Sequence, residues 1–142
     1  MSTEGNKAIA RQAIEAINAG DLSRLESLVA ADGLDHAVPP GMPPTRDSAI
    51  QFLSMFRAAF PDLQYTVEDV IAEGDRVVQR STARGTMQGD FLGMPATGKT
   101  ATWGEVHILR IADGKIVEHW ASVDQLGMLQ QLGLAPVPGQ GA

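Results

Sequence analysis

Five residues in the last third of the chain combine side chains suited to proton transfer with large aromatic side chains. Glu105, His107 and Asp124 can each take up or release a proton, and Trp103 and Trp120 lie close to them in the sequence. Histidine changes its charge near neutral pH, and carboxylates act as general acids or bases when a site adjusts their proton affinity. These residue types therefore indicate acid/base chemistry in a pocket with aromatic walls.

A β-hairpin is expected to bring these residues together. Asp113-Gly114 is a strong signal for a two-residue turn, with one strand ending at Ala112 and the next beginning at Lys115. In the register set by that turn, the facing pairs on one surface are His107 and Trp120, Glu105 and Ser122, and Trp103 and Asp124. Exposed tryptophans are uncommon, so we expect this mixed face to line a ligand pocket rather than to meet solvent.

The other face of the same hairpin is mainly apolar. Its predicted members are Gly104, Val106, Ile108, Val117, Ala121 and Val123, with Arg110 and His119 as polar residues. If the mixed face points inward, this apolar face needs another cover. We therefore predict a homodimer formed through the outer surface of the sheet.

The periodicity of the chain predicts which elements carry this hairpin. Helical spacing of apolar residues predicts a first helix at 6–19, a second helix that begins after an N-cap at Asp21, and a third helix at about 47–60. After Pro61 the pattern alternates, which predicts strands at 63–72, 76–87, 100–111 and 115–123, with a short edge strand at 34–38 and a last short helix at 124–132. This order indicates an α+β fold in which helices pack on one face of a curved antiparallel sheet.

Composition limits the kinds of partner. The chain has 142 residues, which predicts a single domain over 1–142, and its net charge of −6 comes without a cluster of Lys and Arg. Nucleic acid is therefore an unexpected partner. No stretch has the length and apolarity of a membrane span, cysteine is absent and the first residues are polar, so we expect a cytoplasmic protein with no membrane partner.

Several segments together resemble the SnoaL-like polyketide and ester cyclases. They occur in the order found in that family and cover nearly the whole chain: Asp35-His36, Phe60-Pro61-Asp62, Gly74-Asp75-Arg76-Val77-Val78, Gly85-Thr86, Gly98-Lys99, His107-Ile108, Gly114-Lys115-Ile116-Val117-Glu118-His119-Trp120, Asp124 and Gln131-Leu132-Gly133. The resemblance implies an NTF2-like cone, in which three N-terminal helices close against a strongly curved sheet. It also implies that the mixed face of the hairpin points inward.

The resemblance also implies roles for individual residues. In the characterised cyclases an aspartate after the Trp-containing strand is the general acid/base, and Asp124 matches it. Glu105 and His107 match a polar residue and a histidine that contact the ligand. We expect His107 to be catalytic as well, assisting Asp124 by donating to the enolate or by returning a proton to the product alkoxide. These enzymes close a ring by intramolecular aldol addition without a metal or organic cofactor, which here predicts a small, largely apolar carbonyl compound as substrate. Asp124 also begins the last predicted helix, where an aspartate N-cap is common, so both roles stay open.

Four other residues are candidate ligand contacts, each with a structural alternative. His36 is expected at the pocket mouth or as a capped loop residue, and Arg80 as an inward counter-ion or a surface residue. Phe91 and Met94 lie in the long loop before residue 100, where they would form either a lid over an apolar ligand or part of the core.

Two further hypotheses concern metal and reaction class. In the predicted register His107 and His119 point to different faces, so we expect no metal site. A non-catalytic protein that binds a hydrophobic ligand is the main alternative to a cyclase. An isomerase or epoxide hydrolase on the same fold is another, although Arg80 or Arg110 with Asp124 would supply only part of a water-activating set.

Overall fold

The structure is a computed structural model that describes residues 2–139. Its elements in chain order are α1 (Thr3–Ala19), α2 (Leu22–Leu28), β1 (Val29–Asp35), α3 (Arg46–Ala59), β2 (Gln64–Glu73), β3 (Arg76–Thr86), β4 (Thr100–Ala112), β5 (Lys115–Val123) and α4 (Gln125–Gln131). The predicted α+β fold, with three helices before a meander of strands, is confirmed.

Local sequence signals set most helix boundaries. Gly20 ends α1 with a φ of 72°, a left-handed conformation that suits glycine. Asp21 caps α2 by accepting a hydrogen bond from the Arg24 amide, as the sequence predicts. Thr45 caps α3 in the same way through the Ser48 amide. These residues fix where α1 ends and where α2 and α3 begin.

The five strands form one sheet in the order β1-β5-β4-β3-β2. β2 to β5 are antiparallel to their neighbours, whereas β1 pairs in parallel with β5. Of the edge strand expected at 34–38, only Leu34 and Asp35 belong to a strand, because β1 begins earlier, at Val29, and ends at Asp35. The sheet is mixed rather than wholly antiparallel. The parallel pairing sets Asp35 beside His119, which the sequence analysis did not foresee.

A β-bulge changes the predicted register of the β4–β5 hairpin. Asp113 and Gly114 form the expected turn, with φ values of 52° and 74°, and Ile111 pairs with Ile116 as predicted. Arg110 then pairs with Glu118, so Val117 is an extra residue. One inserted residue moves every later side chain of the strand to the opposite face.

The predicted grouping of six residues on one face is therefore wrong for β5. Trp120 pairs with Ile108 on the outer face, whereas Ala121 pairs with His107 and His119 with Leu109 on the inner face. On β4 the prediction holds, since Trp103 and Glu105 are buried on the inner side. Val117, Ala121 and Val123, expected outside, line the interior.

The helices cover the inner face of the sheet and form two adjoining apolar clusters with it. One cluster joins Phe56 and Phe60 of the α3 region to Trp103, and the other joins Ala13 and Leu25 to strand residues such as Leu109. A cavity remains between the helices and the sheet. Within the described residues, no helix has the length and apolarity needed to cross a membrane.

Candidate functional site

The cavity has a volume of about 350 Å³ and mostly apolar walls. α1, α2 and α3 contribute aliphatic and phenylalanine side chains, and β4 and β5 supply the opposite wall. The ionisable residues among its lining are Asp35, Arg46, Tyr65, Glu105, His107, Glu118 and His119. A cavity of this size, with few polar groups in apolar walls, is typical of a site for a small organic molecule.

Four of these polar side chains form one continuous row of hydrogen bonds. The Asp35 carboxylate lies 3.0 Å from Nδ1 of His119, and Nε2 of His119 lies 2.8 Å from Nδ1 of His107. Nε2 of His107 then lies 2.7 Å from Oε1 of Glu105. We call these four residues the polar row. It crosses β1, β5 and β4 and places a continuous set of ionisable groups on one wall of the apolar cavity.

The Glu105 end of the polar row is deeply buried. The side chain is 3% exposed, and its Oε2 accepts hydrogen bonds from Nε1 of Trp103 at 2.7 Å and from the Tyr65 hydroxyl at 3.4 Å. Burial raises the pKa of Tyr65 well above its ordinary value, and the Glu105 carboxylate raises it further. Tyr65 is therefore a protonated donor, so two donors, Trp103 and Tyr65, converge on Oε2 of Glu105, and His107 faces Oε1.

The Asp35 end is more accessible. Its side chain is 18% exposed, and Oδ1 accepts a hydrogen bond from the Ala37 amide at 2.8 Å. Burial acts to raise the pKa of Asp35, but the hydrogen bond and charge of His119, with the Ala37 amide, outweigh burial and hold that pKa below its ordinary value. Asp35 is thus a carboxylate with lone pairs still free for a ligand.

The structure does not bring Asp124 to the cavity. Its side chain is exposed, and Oδ1 accepts a hydrogen bond from the Gly127 amide at 3.0 Å as the N-cap of α4. Asp124 is absent from the cavity lining. The expected burial beside Trp103 depended on the register that the bulge at Val117 changes. The geometry therefore supports the N-cap role and not the predicted contact with substrate.

Trp120 also lies outside the cavity, contrary to expectation, and so does His36, for which a pocket-mouth position was one of two expectations. The two rings stack with centroids 5.3 Å apart, and the Arg76 guanidinium lies 5.1 Å from the Trp120 ring. Nε2 of His36 is 2.7 Å from Oε2 of Glu118, whose other oxygen accepts a hydrogen bond from Arg110 at 3.1 Å. These residues form a stacked and ion-paired cluster on the outer face of the sheet.

Arg80 is a surface residue rather than an inward counter-ion. It pairs with Asp69 at 2.7 Å, and both side chains are more than half exposed. Arg110, the other arginine considered for an epoxide hydrolase set, pairs with Glu118. Neither arginine therefore joins Asp124 or the cavity lining in the structure.

The long loop contributes one of its two expected contacts. Phe91 is 5% exposed, lines the cavity and packs its ring 5.2 Å from that of Phe56. Met94 packs against the same apolar cluster but is not part of the lining. Core packing thus accounts for Met94, whereas Phe91 belongs both to the core and to the cavity.

The reasoning that separated His107 from His119 is wrong, because the two rings hydrogen-bond to each other on the inner face. Their facing nitrogens point at one another rather than at a common centre. Among residues 2–139, no group of three or more His, Cys, Asp or Glu side chains is arranged to hold a metal ion.

Sequence reasoning named Glu105, His107, Trp103 and Phe91 and missed Asp35 and His119. The segments that carry the family resemblance did include Asp35-His36 and Glu118-His119. Of these four residues, however, only His36 was predicted to contact the ligand. A parallel pairing between β1 and β5 and a bulge in β5 are needed to see that Asp35 and His119 meet.

Comparisons with known proteins agree with this architecture. A family model for the SnoaL-like polyketide cyclase matches residues 7–132. Aklanonic acid methyl ester cyclase DnrD of Streptomyces peucetius is 29% identical over 136 residues, which cover 94% of this chain and 92% of the relative. Nogalonic acid methyl ester cyclase of Streptomyces nogalater is 30% identical, with 84% of this chain and 91% of the relative covered.

Solved structures show the same similarity. AclR of Streptomyces galilaeus, a proposed hydroxylase, superposes with a TM-score of 0.85 at 33% identity, covering 95% of this chain and 100% of AclR. IdmH of Streptomyces antibioticus, a proposed polyketide cyclase, has a TM-score of 0.79 at 37% identity, covering 90% of this chain and 98% of IdmH. With the family model spanning most of its length, the chain belongs to the SnoaL-like polyketide cyclase family.

Proposed function

We propose that this protein is a cyclase that closes a ring within a small, largely apolar carbonyl compound by acid/base catalysis without a cofactor. The observation that carries the proposal is the polar row, which gives an otherwise apolar cavity one proton-exchanging wall. The names of the Streptomyces relatives, cyclases of aklanonic and nogalonic acid methyl esters, support the same reaction class.

Within the polar row, Asp35 is the group best placed to meet substrate. Both ring nitrogens of His107 and of His119 are already engaged with other members of the row. Glu105 is nearly inaccessible and already has three hydrogen-bond partners, Tyr65, Trp103 and His107. Asp35 has free lone pairs and an ionised carboxylate, so it takes the role that the sequence analysis gave to Asp124.

Ring closure by this route conserves all atoms. Asp35 takes a proton from a carbon next to a carbonyl group, and the resulting enolate carbon bonds to a second carbonyl carbon in the same molecule. The π bond of that second carbonyl breaks, and its oxygen becomes an alkoxide. Asp35 returns the proton to this oxygen, so the product is an isomer of the substrate and Asp35 is regenerated.

Incubation with aklanonic acid methyl ester and with nogalonic acid methyl ester tests the proposal. We expect a product of unchanged mass and altered chromatographic retention, formed faster than without protein. Binding of an ester, seen as a change in the fluorescence of the cavity residue Trp103, without any product would instead favour the hydrophobic binding protein. Trp120→Phe removes the second tryptophan and isolates the Trp103 signal.

We propose that the protein is a homodimer joined through the outer face of its sheet. One apolar row crosses four strands there, since Ile71 pairs with Val78, Val78 with Ile108, and Ile108 with Trp120. Ile71 is 64% exposed and the other three residues are half-buried, with His36 and Arg76 on Trp120, so the described chain covers this row only in part. Sedimentation should give a dimer for the wild type and a monomer for Ile108→Lys; a monomeric wild type would contradict the proposal.

The remaining expectations from the sequence are that the protein works in the cytoplasm, as a single domain over 1–142, and without nucleic acid or membrane partners. The net charge of −6 supports the absence of a nucleic-acid partner. Cell fractionation followed by detection of the protein in the soluble or membrane fraction tests the location.

A further inference from the structure

The three hydrogen bonds of the polar row restrict where its protons lie. Two imidazole nitrogens at 2.8 Å, as between His107 and His119, repel each other unless one of them carries the proton that points at the other. The rings are parallel within 2° and their centroids are 5.1 Å apart, although the facing nitrogens are only 2.8 Å apart. The rings therefore meet end to end in nearly one plane, and the lone pair of one faces the N–H of the other. The same reasoning applies where a ring nitrogen faces Asp35 or Glu105.

Counting these protons gives the charge of the row. Each of the three gaps holds one proton, and the gaps are Asp35–His119, His119–His107 and His107–Glu105. Two ionised carboxylates and two neutral imidazole rings would supply only two such protons, one on each ring. The three gaps therefore require one proton more. Its net charge is therefore −1, with either one ring positive or one carboxylic acid protonated.

We infer that Asp35, His119, His107 and Glu105 form a proton relay that holds one extra proton and can place it at either end. Moving each gap proton from one heavy atom to the next transfers the extra proton between Asp35 and Glu105. No ring has to rotate, because both nitrogens of each histidine are already aligned with a partner. A proton gained or lost by any one of the four groups therefore changes the hydrogen-bond roles of the other three.

Charged groups around the relay are held by other partners. Arg46 of α3 lines the cavity, but its guanidinium contacts the Val29 carbonyl and Glu26. Glu118 of β5 pairs with His36 and Arg110. Tyr65 of β2 donates to Glu105, and α1 contributes only apolar residues to the lining. None of these neighbours places a cation on the relay, so its net charge of −1 is set by the protons of its own four residues.

The use of this relay in catalysis depends on the proposed cyclase function. When Asp35 takes a proton from carbon, the extra proton of the relay is best placed near Glu105, away from the neutralised carboxyl group. When the alkoxide forms, the extra proton moves toward His119, where a positive ring stabilises the new negative charge. The proton taken from carbon still returns to oxygen, so the relay ends each cycle with the protons it began with. His119, His107 and Glu105 act through Asp35 and are positioning residues.

Nitrogen-15 NMR of histidine-labelled, ligand-free protein tests the relay directly. The chain has only three histidines, and His36 on the outer face serves as an internal reference. We expect a strongly downfield, slowly exchanging N–H signal from the gap between His107 and His119, and common titration steps for these two rings. The inference would be overturned if Nδ1 of His107 and Nε2 of His119 were both unprotonated at every pH in the range where histidine titrates.

Two histidine variants test whether His107 and His119 are coupled or merely lie close together. In His107→Gln the link to Glu105 is broken, so the titration curve of His119 should change, whereas His36→Gln should leave both cavity rings unaffected. A His119 curve in His107→Gln that superposes on the wild-type curve would contradict the relay. If His107→Gln does not fold, the wild-type spectrum alone still decides. Because no turnover is needed, failure of the relay is distinguishable from failure of the cyclase proposal.

Discussion

His119 and Trp120 are neighbours in the sequence but lie on opposite faces of β5. The inward His119 connects Asp35 to His107, whereas the outward Trp120 stacks on His36. Successive strand residues always alternate between the two faces, and Val117, the one extra residue in the hairpin, makes His119 the one that points inward. The identity of the candidate site is therefore determined by register as much as by which side chains the strand carries.

The largest expected effect distinguishes an inner carboxylate from an outer one. Asp35→Asn keeps the shape of the side chain but removes the base that meets substrate, so kcat should fall by about 10²- to 10⁴-fold. KM should change little, because the apolar walls that hold the ligand are retained. Asp69→Asn is the matched control, since Asp69 forms an exposed ion pair with Arg80 on the other side of the sheet. Steady-state kinetics on a converted ester measures both variants.

An Asp35→Asn enzyme with the kcat of the wild type would remove Asp35 from the mechanism. Thermal unfolding of the same samples shows whether a loss of rate reflects loss of the fold. Equal losses of rate in Asp35→Asn and Asp69→Asn would mean that the inner and outer faces do not differ as proposed.

The two tryptophans give a second matched comparison. Trp103→Phe removes the indole N–H that donates to the buried Glu105 carboxylate, and the lost hydrogen bond should lower the free energy of unfolding by about 1–3 kcal/mol. Trp120→Phe removes part of a stack with His36 and Arg76, and we expect less than about 1 kcal/mol. Chemical denaturation measures both changes. A larger loss for Trp120→Phe would show that the outer cluster matters more to stability than the inner one.

Periodicity and turn signals predicted most of the fold but only part of the site. Asp21 and Gly20 marked helix ends correctly, and Asp113-Gly114 marked the hairpin turn. The bulge had no decisive signal: Ile116-Val117 are successive apolar residues, but so are Ile108-Leu109, where the pairing stays regular. Contact between Asp35 and His119 depends on a parallel pairing across 84 residues, which no local pattern encodes.

The pH dependence of stability sharpens the comparison at Asp35. Its folded pKa lies below the ordinary value of 3.8, so the carboxylate contributes stability that is fully present above about 3.8. That contribution is lost as the pH falls through the lower, folded pKa. The difference in unfolding free energy between wild type and Asp35→Asn should therefore be constant at neutral pH and shrink in acid. Unfolding curves at a series of pH values measure it, and a difference that grows in acid would have the wrong sign.

The smallest expected effect on turnover is at Asp124, the residue that the family resemblance indicated as the general acid/base. Its carboxylate accepts a hydrogen bond from the Gly127 amide at the start of α4, and asparagine caps helices about as well as aspartate. We therefore expect Asp124→Asn to leave both stability and kcat unchanged, and Asp124→Ala to cost about 1 kcal/mol of stability at unchanged kcat. Thermal unfolding and kinetics on the same preparations separate the two roles. A fall in kcat for Asp124→Asn without loss of stability would contradict this expectation. It would show that Asp124, which follows β5 directly, takes part in catalysis.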